Sequence, residues 1–434
     1  MPETTVAATI VDLTHDGRGV ADVDGRRLFV AGALPGEEVE IALDRRRRRK
    51  LDAEPLRVLR AAPTRVAPGC EYFGRCGGCA LQHMSYEAQI AFKQNVASQA
   101  FARIAGLQPA RWLAPITAQQ WGYRRRARLG VRFVEAKGRA LVGFRERSSN
   151  YITDMDHCPV LAPPIDHALG ALAESIGASE AGKRVPQIEV ALGDAAGALV
   201  FRVLGKLTDA DGARLDARAR SLGLTAHVQT AGPGSVRALG RDDQALLSYA
   251  LPAFDLEIEF APTDFIQVNA AINAQMVADA VEQAALDGSE RVLDLYCGIG
   301  NFSLAFARRA RAVVGVESDA GLVARAARNA RINGIRNATF VTADLGRGDW
   351  SFLRESWDVV MLDPPRSGAA AVTPCFAAMA PRRIVYVSCH PATLARDART
   401  LCEELPYRLT HARVLDMFPN THHVEVMAVF DRKA

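Results

Sequence analysis

The sequence predicts an α/β chain: a doubly wound parallel sheet at the C-terminal end, a small antiparallel β-barrel at the N-terminal end, and a mixed α/β stretch between. Three observations carry this. After residue 290, apolar runs alternate with helical stretches (RVLDL, AVVGVE, ATFVTAD, DVVMLD, RRIVYVS), a rhythm that builds a parallel sheet with ligands at the C-terminal strand ends. Over the first 60 residues, short runs of alternating apolar and polar residues lie between turn signals. The length, 434 residues, exceeds what one core usually organises. The expected segments are 1–62, 63–268 and 269–434.

The barrel strands are ATIVDL, GVADVDG, RRLFVAGAL, EEVEIAL and EPLRVLRA, with turns at Asp16-Gly17, Asp24-Gly25 and Pro35-Gly36. Five strands in that length suit an OB-type barrel, a fold that often carries nucleic acid on one face. Arg45 to Lys50, five arginines and a lysine, is too charged for a core strand. It reads equally well as a solvated loop or as a phosphate-binding one.

Cys70, Cys76 and Cys79 follow in a C-x5-C-x2-C arrangement, and Cys158 stands downstream in DHCPV. Three thiols around Gly77 and Gly78 serve no packing purpose in a short polar loop and suit a metal centre. Four thiolates fit an iron–sulfur cluster or a structural zinc, and spacing does not choose between them. The C-x3-C-x2-C of radical enzymes is absent. Eight cysteines in a chain whose polar N-terminus has no apolar export segment argue against a disulfide framework. The same features, with no apolar run of membrane-spanning length, lead us to expect a cytoplasmic monomer with no membrane partner. The net charge of +4 identifies no partner.

MSYEAQIAFKQNVASQAF has helical spacing, with Ile90, Phe92, Val96 and Phe101 apolar. WGYRRRARLGVRF reads as a strand with Arg124, Arg126 and Arg128 on one face, Tyr123 and Arg125 on the other. Three guanidiniums on one face repel each other unless an anion lies across them. A phosphate backbone is one candidate, and a plain exposed face is the other. Residues 140 to 260 carry hairpin signals and a helix near Ala210–Leu222, without visible chemistry. A helix from Asn269 leads into the final sheet, and YRLTHARVLD with HHVEVMAVFD reads as an antiparallel pair added to one edge.

The chemistry gathers at those strand ends. Asp294 enters a loop with Gly298 and Gly300. Glu317 suits the two hydroxyls of a ribose, Asp344 an adenine amine, and Asp363 opens the run Asp363-Pro364-Pro365-Arg366. The loop lacks both the G-x-G-x-x-G of dinucleotide sites and the lysine of a P-loop, which leaves S-adenosylmethionine as the adenosine-bearing ligand. The fifth strand ends at Cys389, an activatable thiol. Glu425 stands among apolar residues on the last strand, a costly position for an acid without a task. Cys297, Cys375 and Cys402 are expected to be packing cysteines. A thiol and a base beside a methyl donor suit uracil C5, since thiolate addition at C6 makes C5 nucleophilic. Amine methylation calls for an aromatic residue where Arg366 stands, and cytosine-C5 enzymes for a second cysteine that is missing.

Together DLYCGIGNFSL, LDPPRSG, VSCHPATLARD and FPNTHHVEVMAVF resemble the RNA uracil-C5 methyltransferase family. CEYFGRCGGCALQHMSYEAQIAFK with DHCPV resembles the branch that carries a [4Fe-4S] cluster, and the barrel resembles a TRAM domain. The resemblance implies Cys389 as nucleophile and Glu425 as proton acceptor. It implies Cys70, Cys76, Cys79 and Cys158 as cluster ligands, and Gln267, Tyr296, Asn301, Glu317, Asp344 and Asp363 around the S-adenosylmethionine and substrate pocket. Asp344 departs from the asparagine of the nearest members, and no physical reason for Gln267 is visible in sequence. The implied partner is 23S ribosomal RNA, because the transfer-RNA member lacks both TRAM domain and cysteine cluster. The alternatives are another 23S ribosomal or transfer-RNA uridine, or a non-catalytic RNA-binding protein on a methyltransferase scaffold; the latter would have no reason to retain both Cys389 and Glu425.

Overall fold

In the computed structural model, the described residues are 4–43, 52–53, 55–240, 246–347, 352 and 355–433, so the basic run Arg45–Lys50 lies outside them. The chain forms two units. The first comprises Met1–Val96, Phe144–Thr153 and Phe418–His423; the second comprises Ala97–Gly143, Asp154–Met417 and Val424–Ala434.

The barrel lies in the first unit, and seven short strands take the place of the five expected. Thr4–Thr9, Glu38–Leu43 and Pro55–Arg60 make one sheet. Asp12–Leu13, Gly19–Val23, Arg26–Val30 and Asp52–Ala53 make another. The run ATIVDL divides because Ile10 donates to the Glu37 carbonyl at 2.9 Å while Val11 donates to Val20 at 2.8 Å, so the chain changes sheets there. Ile10, Ala21, Val30, Val39 and Ile41 fill the core. Glu37 is fully buried, yet burial does not neutralise it. Arg65, with the Leu34 and Ala62 amides, holds its carboxyl below the usual range against the upward push of desolvation. The Phe418–His423 piece is fastened in the same unit. The Lys93 ammonium donates to the Phe418 carbonyl at 2.9 Å, Gln89 to the Asn420 side chain at 3.2 Å, and the Ala80 and Leu81 amides to the Asn420 carbonyl at 3.0 Å each.

The second unit holds an eight-stranded sheet. Its order is Ala338–Thr342, Ala312–Glu317, Arg291–Leu295, Val359–Leu362, Arg383–Ser388, Glu425–Arg432, Tyr407–Leu415, Arg111–Trp112. The first five are parallel and the sixth runs against both neighbours. Val359–Leu362 is buried at every position, as befits a strand covered on both faces. The C-terminal pair is therefore not the rim of the sheet: Arg111–Trp112 adds a further short strand outside it. Asn269 caps the Ala270–Ala284 helix by accepting from the Ile272 amide, and Asp319 caps Ala320–Ile332. The same unit carries a six-stranded sheet and the hairpin Leu247–Leu251 with Leu256–Phe260.

In the six-stranded sheet the arginine face finds an anion within the protein. Arg126 and Arg128 bond the two oxygens of Glu189 at 2.9 and 3.2 Å, since Arg128 and Glu189 are register partners. Relief of repulsion between these guanidiniums needs no phosphate.

Candidate active site

Strand register assembles the site. Leu362 pairs with Leu295 on one side and Tyr386 on the other, so Asp363 leaves the sheet level with Tyr296 and just short of Ser388-Cys389. Leu295 also pairs with Val316, which brings Glu317 beside the glycine loop. Ser388 faces Val426, so one further step places Cys389 and Glu425 at adjoining strand ends.

The loop after Leu295 turns through left-handed residues: Tyr296 at φ 66°, Gly298 at 55° and Gly300 at 92°. At Gly300 the φ favours glycine, and a β-carbon would also press on the Leu304 side chain at 3.2 Å. The Gly298 amide donates to Glu317 Oε2 at 3.3 Å, tying the loop to the next strand end. Glu317 Oε1 accepts from the Ser318 amide at 2.6 Å. Asp344 lies two residues beyond its strand, more than half exposed, and accepts from the Gly346 amide at 2.9 Å. Burial, reinforced by nearby acids, pushes the Tyr296 hydroxyl up to about 12.

Gln267 finds a reason in the structure. Its side-chain amide donates to Asp363 Oδ2 at 3.3 Å, and its carbonyl accepts from Arg125 Nε at 3.2 Å. Asn301 is engaged within the protein: its Oδ1 accepts from the Tyr249 hydroxyl at 2.8 Å and from Asn273 at 3.1 Å, and its Nδ2 donates back at 2.9 Å. Tyr249, Asn273 and Arg125 had no signal in the sequence that linked them to the site. Nor did Asp397, which accepts from the Ala369 amide at 2.7 Å and the Tyr386 hydroxyl at 2.8 Å, and so holds the loop that follows Asp363.

Desolvation dominates the electrostatics. Burial pushes Asp363 up to about 7 against its bond from Gln267, and Asp294 up to about 7 against its bond from Ser303. Burial, with Asp363 nearby, pushes Glu425 up to about 8. Burial also raises the Cys389 thiol; Glu425 and Asp363 add to that shift, and the Arg366 guanidinium opposes it. Cys389 and Glu425 thus share one electrostatic neighbourhood, with Arg366 the cation that favours thiolate.

Cys70, Cys76 and Cys79 lie in the first unit and Cys158 in the second; all four are free thiols. The cysteine loop is shaped by bonds from the Cys76 amide to the Tyr72 carbonyl at 2.8 Å and from the Cys70 amide to Gln82 at 3.1 Å. Gly78 directs its amide at Cys76 Sγ, 3.4 Å away, an N–H···S bond of the kind that supports cluster thiolates. The donor chemistry fits an iron–sulfur group. Among the described residues, however, no three His, Cys, Asp or Glu side chains are gathered to hold a metal ion.

A doubly wound sheet with a glycine loop and acids at successive strand ends has the layout of an S-adenosylmethionine-dependent methyltransferase. A family model described as tRNA (Uracil-5-)-methyltransferase matches residues 242–346 and 349–433, and the TRAM domain model matches residues 1–56. The chain is 49% identical over 436 residues to the 23S rRNA (uracil(1939)-C(5))-methyltransferase RlmD of Alkalilimnicola ehrlichii, covering 100% of this chain and 98% of that one. It is 46% identical to the protein of that name from Methylococcus capsulatus, with the same coverage. It also resembles the crystal structure of Pyrococcus abyssi tRNA (uracil-54, C5)-methyltransferase in complex with S-adenosyl-L-homocysteine, at TM-score 0.71 and 25% identity over 98% of this chain and 100% of that one. The chain belongs to the RNA uracil-C5 methyltransferase family, whose members take their methyl group from S-adenosylmethionine. The full-length likeness to a transfer-RNA enzyme means that domain architecture does not by itself separate ribosomal from transfer-RNA substrates.

Proposed function

We propose that this enzyme methylates C5 of a uridine in 23S ribosomal RNA, the uracil(1939) target named for its relatives of 45 to 49% identity. The observation that carries the chemistry is the Ser388–Val426 register, which brings a thiol and a buried acid to adjoining strand ends. Cys389 thiolate adds to uracil C6, and the electron pair displaced onto C5 attacks the S-adenosylmethionine methyl group, releasing S-adenosylhomocysteine. Glu425 takes the C5 proton, and expulsion of the Cys389 sulfur restores the C5–C6 double bond. Arg366 favours the attacking thiolate. Gln267, Tyr296, Glu317, Asp344 and Asp363 line the cofactor and substrate pocket, with Asn301 bracing its wall.

Cys70, Cys76, Cys79 and Cys158 hold a [4Fe-4S] cluster in this reading, supported by four free thiols and the Gly78 amide; no step of the methyl transfer uses it. The working segments are the barrel 1–62, the stretch 63–268 and the catalytic part 269–434, and the enzyme acts as a cytoplasmic monomer. No described helix is long and apolar enough to cross a membrane.

The test supplies S-adenosylmethionine with 23S or transfer RNA tritiated at uracil C5. Release from 23S RNA alone supports the proposal, and release from transfer RNA alone moves the substrate to the runner-up. Release from neither leaves only the RNA-binding scaffold. For the cluster, iron and sulfide in an anaerobic preparation support it, and stoichiometric zinc refutes it.

A further inference from the structure

The first unit contains a pocket of about 480 Å³ that the methyl-transfer chemistry does not use. Its wall draws on four separate pieces of that unit: Arg18 and Phe29 from the barrel, Cys79 from the cysteine loop, Arg147 and Ser148 from the 144–153 segment, and His422 from the 418–423 segment.

Its side chains are a mixture with one chemical use. The Arg18 guanidinium lies over the Phe29 ring, 5.1 Å from its centre. Asp16 bonds Arg18 Nε at 2.9 Å, so that cation is neutralised and braced. Arg147 has no carboxylate partner among the described residues. Its charge is felt at His83, whose imidazole is held down at about 4, chiefly by burial and further by Arg65 and Arg147. The His422 ring stacks on that of His423 at 5.0 Å and 19°. The Arg18 guanidinium stacked on Phe29, the His422 ring, the Arg147 guanidinium and the Ser148 hydroxyl are what an unstacked nucleotide requires: a flat cationic face and a ring for the base, a cation for the phosphate, a hydroxyl for the sugar. A bare anion needs no rings, and a neutral peptide segment would leave Arg147 without a counterion.

We propose that this pocket takes one unpaired nucleotide of the substrate RNA, distinct from the uridine that is methylated. The assignment rests on the reading of the chain as an RNA methyltransferase and deepens it. Direct methyl-transfer chemistry selects a base but no sequence context, whereas a second nucleotide held against the barrel selects a loop shape.

The experiment uses the full chain, prepared anaerobically with its metal, and the 23S fragment that it methylates. Wild-type tritium release is measured first; its failure overturns the function and the nucleotide assignment that rests on it, whereas the binding outcomes below overturn the pocket alone. Fluorescence anisotropy then compares wild type with Phe29→Ala and Arg147→Gln, on RNA carrying a single abasic site at each loop position in turn. Stacking on an aromatic ring contributes roughly 10-fold in affinity. Each variant is therefore expected to bind intact RNA about 10-fold more weakly, at unchanged iron content and melting temperature. One abasic position other than the target should cost wild type the same factor and Phe29→Ala nothing further, since coupled contacts are not additive. Equal binding by wild type and both variants overturns the proposal. So does an abasic penalty that simply adds to that of Phe29→Ala at every position, or affinity lost only together with iron, which would make Arg147 a partner of the metal centre.

Discussion

Burial and Asp363 push Glu425 up to about 8, which favours its protonated form at neutral pH. Its proton must leave before it can accept one from C5, and Cys389 is shifted in the same direction. The kcat/KM for tritium release is therefore expected to climb with pH through 8. Glu425→Gln should stop turnover and accumulate a covalent RNA adduct on denaturing gels, and Cys389→Ala should form none. Stability runs the opposite way. A carboxyl raised from 4.5 when unfolded to about 8 when folded stabilises fully below 4.5, and that contribution is lost as pH rises through 8. Calorimetry at pH 6 and pH 9 should thus show a smaller fall in melting temperature for Glu425→Gln than for wild type. A different residue, Glu189, governs the arginine face. Removing its charge takes the carboxylate from the Arg126 guanidinium, which is itself only 16% exposed, and leaves it the Pro262 carbonyl. We expect Glu189→Gln to cost about 2 kcal/mol in denaturant unfolding with RNA affinity unchanged. Tighter RNA binding by this variant would return Arg126 and Arg128 to the RNA. Glu189 is invisible from the sequence because it lies 63 residues from Arg126 and meets it through sheet register. Gln267 was hidden for the same reason: its partner Asp363 is 96 residues away.

At the scale of elements, the parallel strands and the acids at their tips were legible because each is a local pattern: an apolar run, then a polar residue, then a helix cap. What was not legible is what holds the loops after them. The segment following Asp363 is clamped by Asp397, on the Pro391–Arg399 helix, and by Tyr386, on the strand that ends next to Cys389. One carboxylate thereby fixes the loop carrying Arg366 relative to the strand that runs into Cys389. Gly368 makes the clamp possible. It has φ 81°, and a β-carbon there would come within 2.6 Å of both the Asp397 carboxylate and the Arg396 guanidinium. Gly368→Ala is expected to destabilise by about 2 kcal/mol through backbone strain and crowding. It should also slow adduct formation at Cys389 more than it weakens RNA binding, which a single-turnover assay separates from an affinity measurement. The barrel shows the opposite limit. Its apolar alternation was plain, but the break at Ile10–Val11 follows from which sheet each amide finds, and alternation does not encode that. Arg111–Trp112 is two residues long and has no periodicity to detect.

At the scale of the molecule, both units are discontinuous in sequence. The short pieces Phe144–Thr153 and Phe418–His423 belong with the barrel, while the chain on either side of each belongs with the second unit. No local composition marks such excursions, because they are defined by bonds such as Lys93 to the Phe418 carbonyl, 325 residues apart. The division has a measurable consequence. A ligand that binds only the folded form of one unit stabilises that unit by mass action. S-adenosylhomocysteine at a hundred times its Kd contributes about 2.7 kcal/mol, equivalent to slowing ligand-dependent amide opening by about 100-fold. In the loop and strand ends around Asp294–Asn301 and Val316–Asp319, Gly298 and Ser318 bond Glu317 and Ser303 bonds Asp294, all within the second unit, and these stretches carry the acids assigned to the cofactor. Hydrogen exchange with and without S-adenosylhomocysteine should therefore slow those amides strongly while leaving Gly19–Val23 and Arg26–Val30 of the barrel at their original rates. Equal protection of the barrel strands would mean that the two units open as one cooperative body, and the cofactor's binding energy would then stabilise the barrel as well as the large sheet.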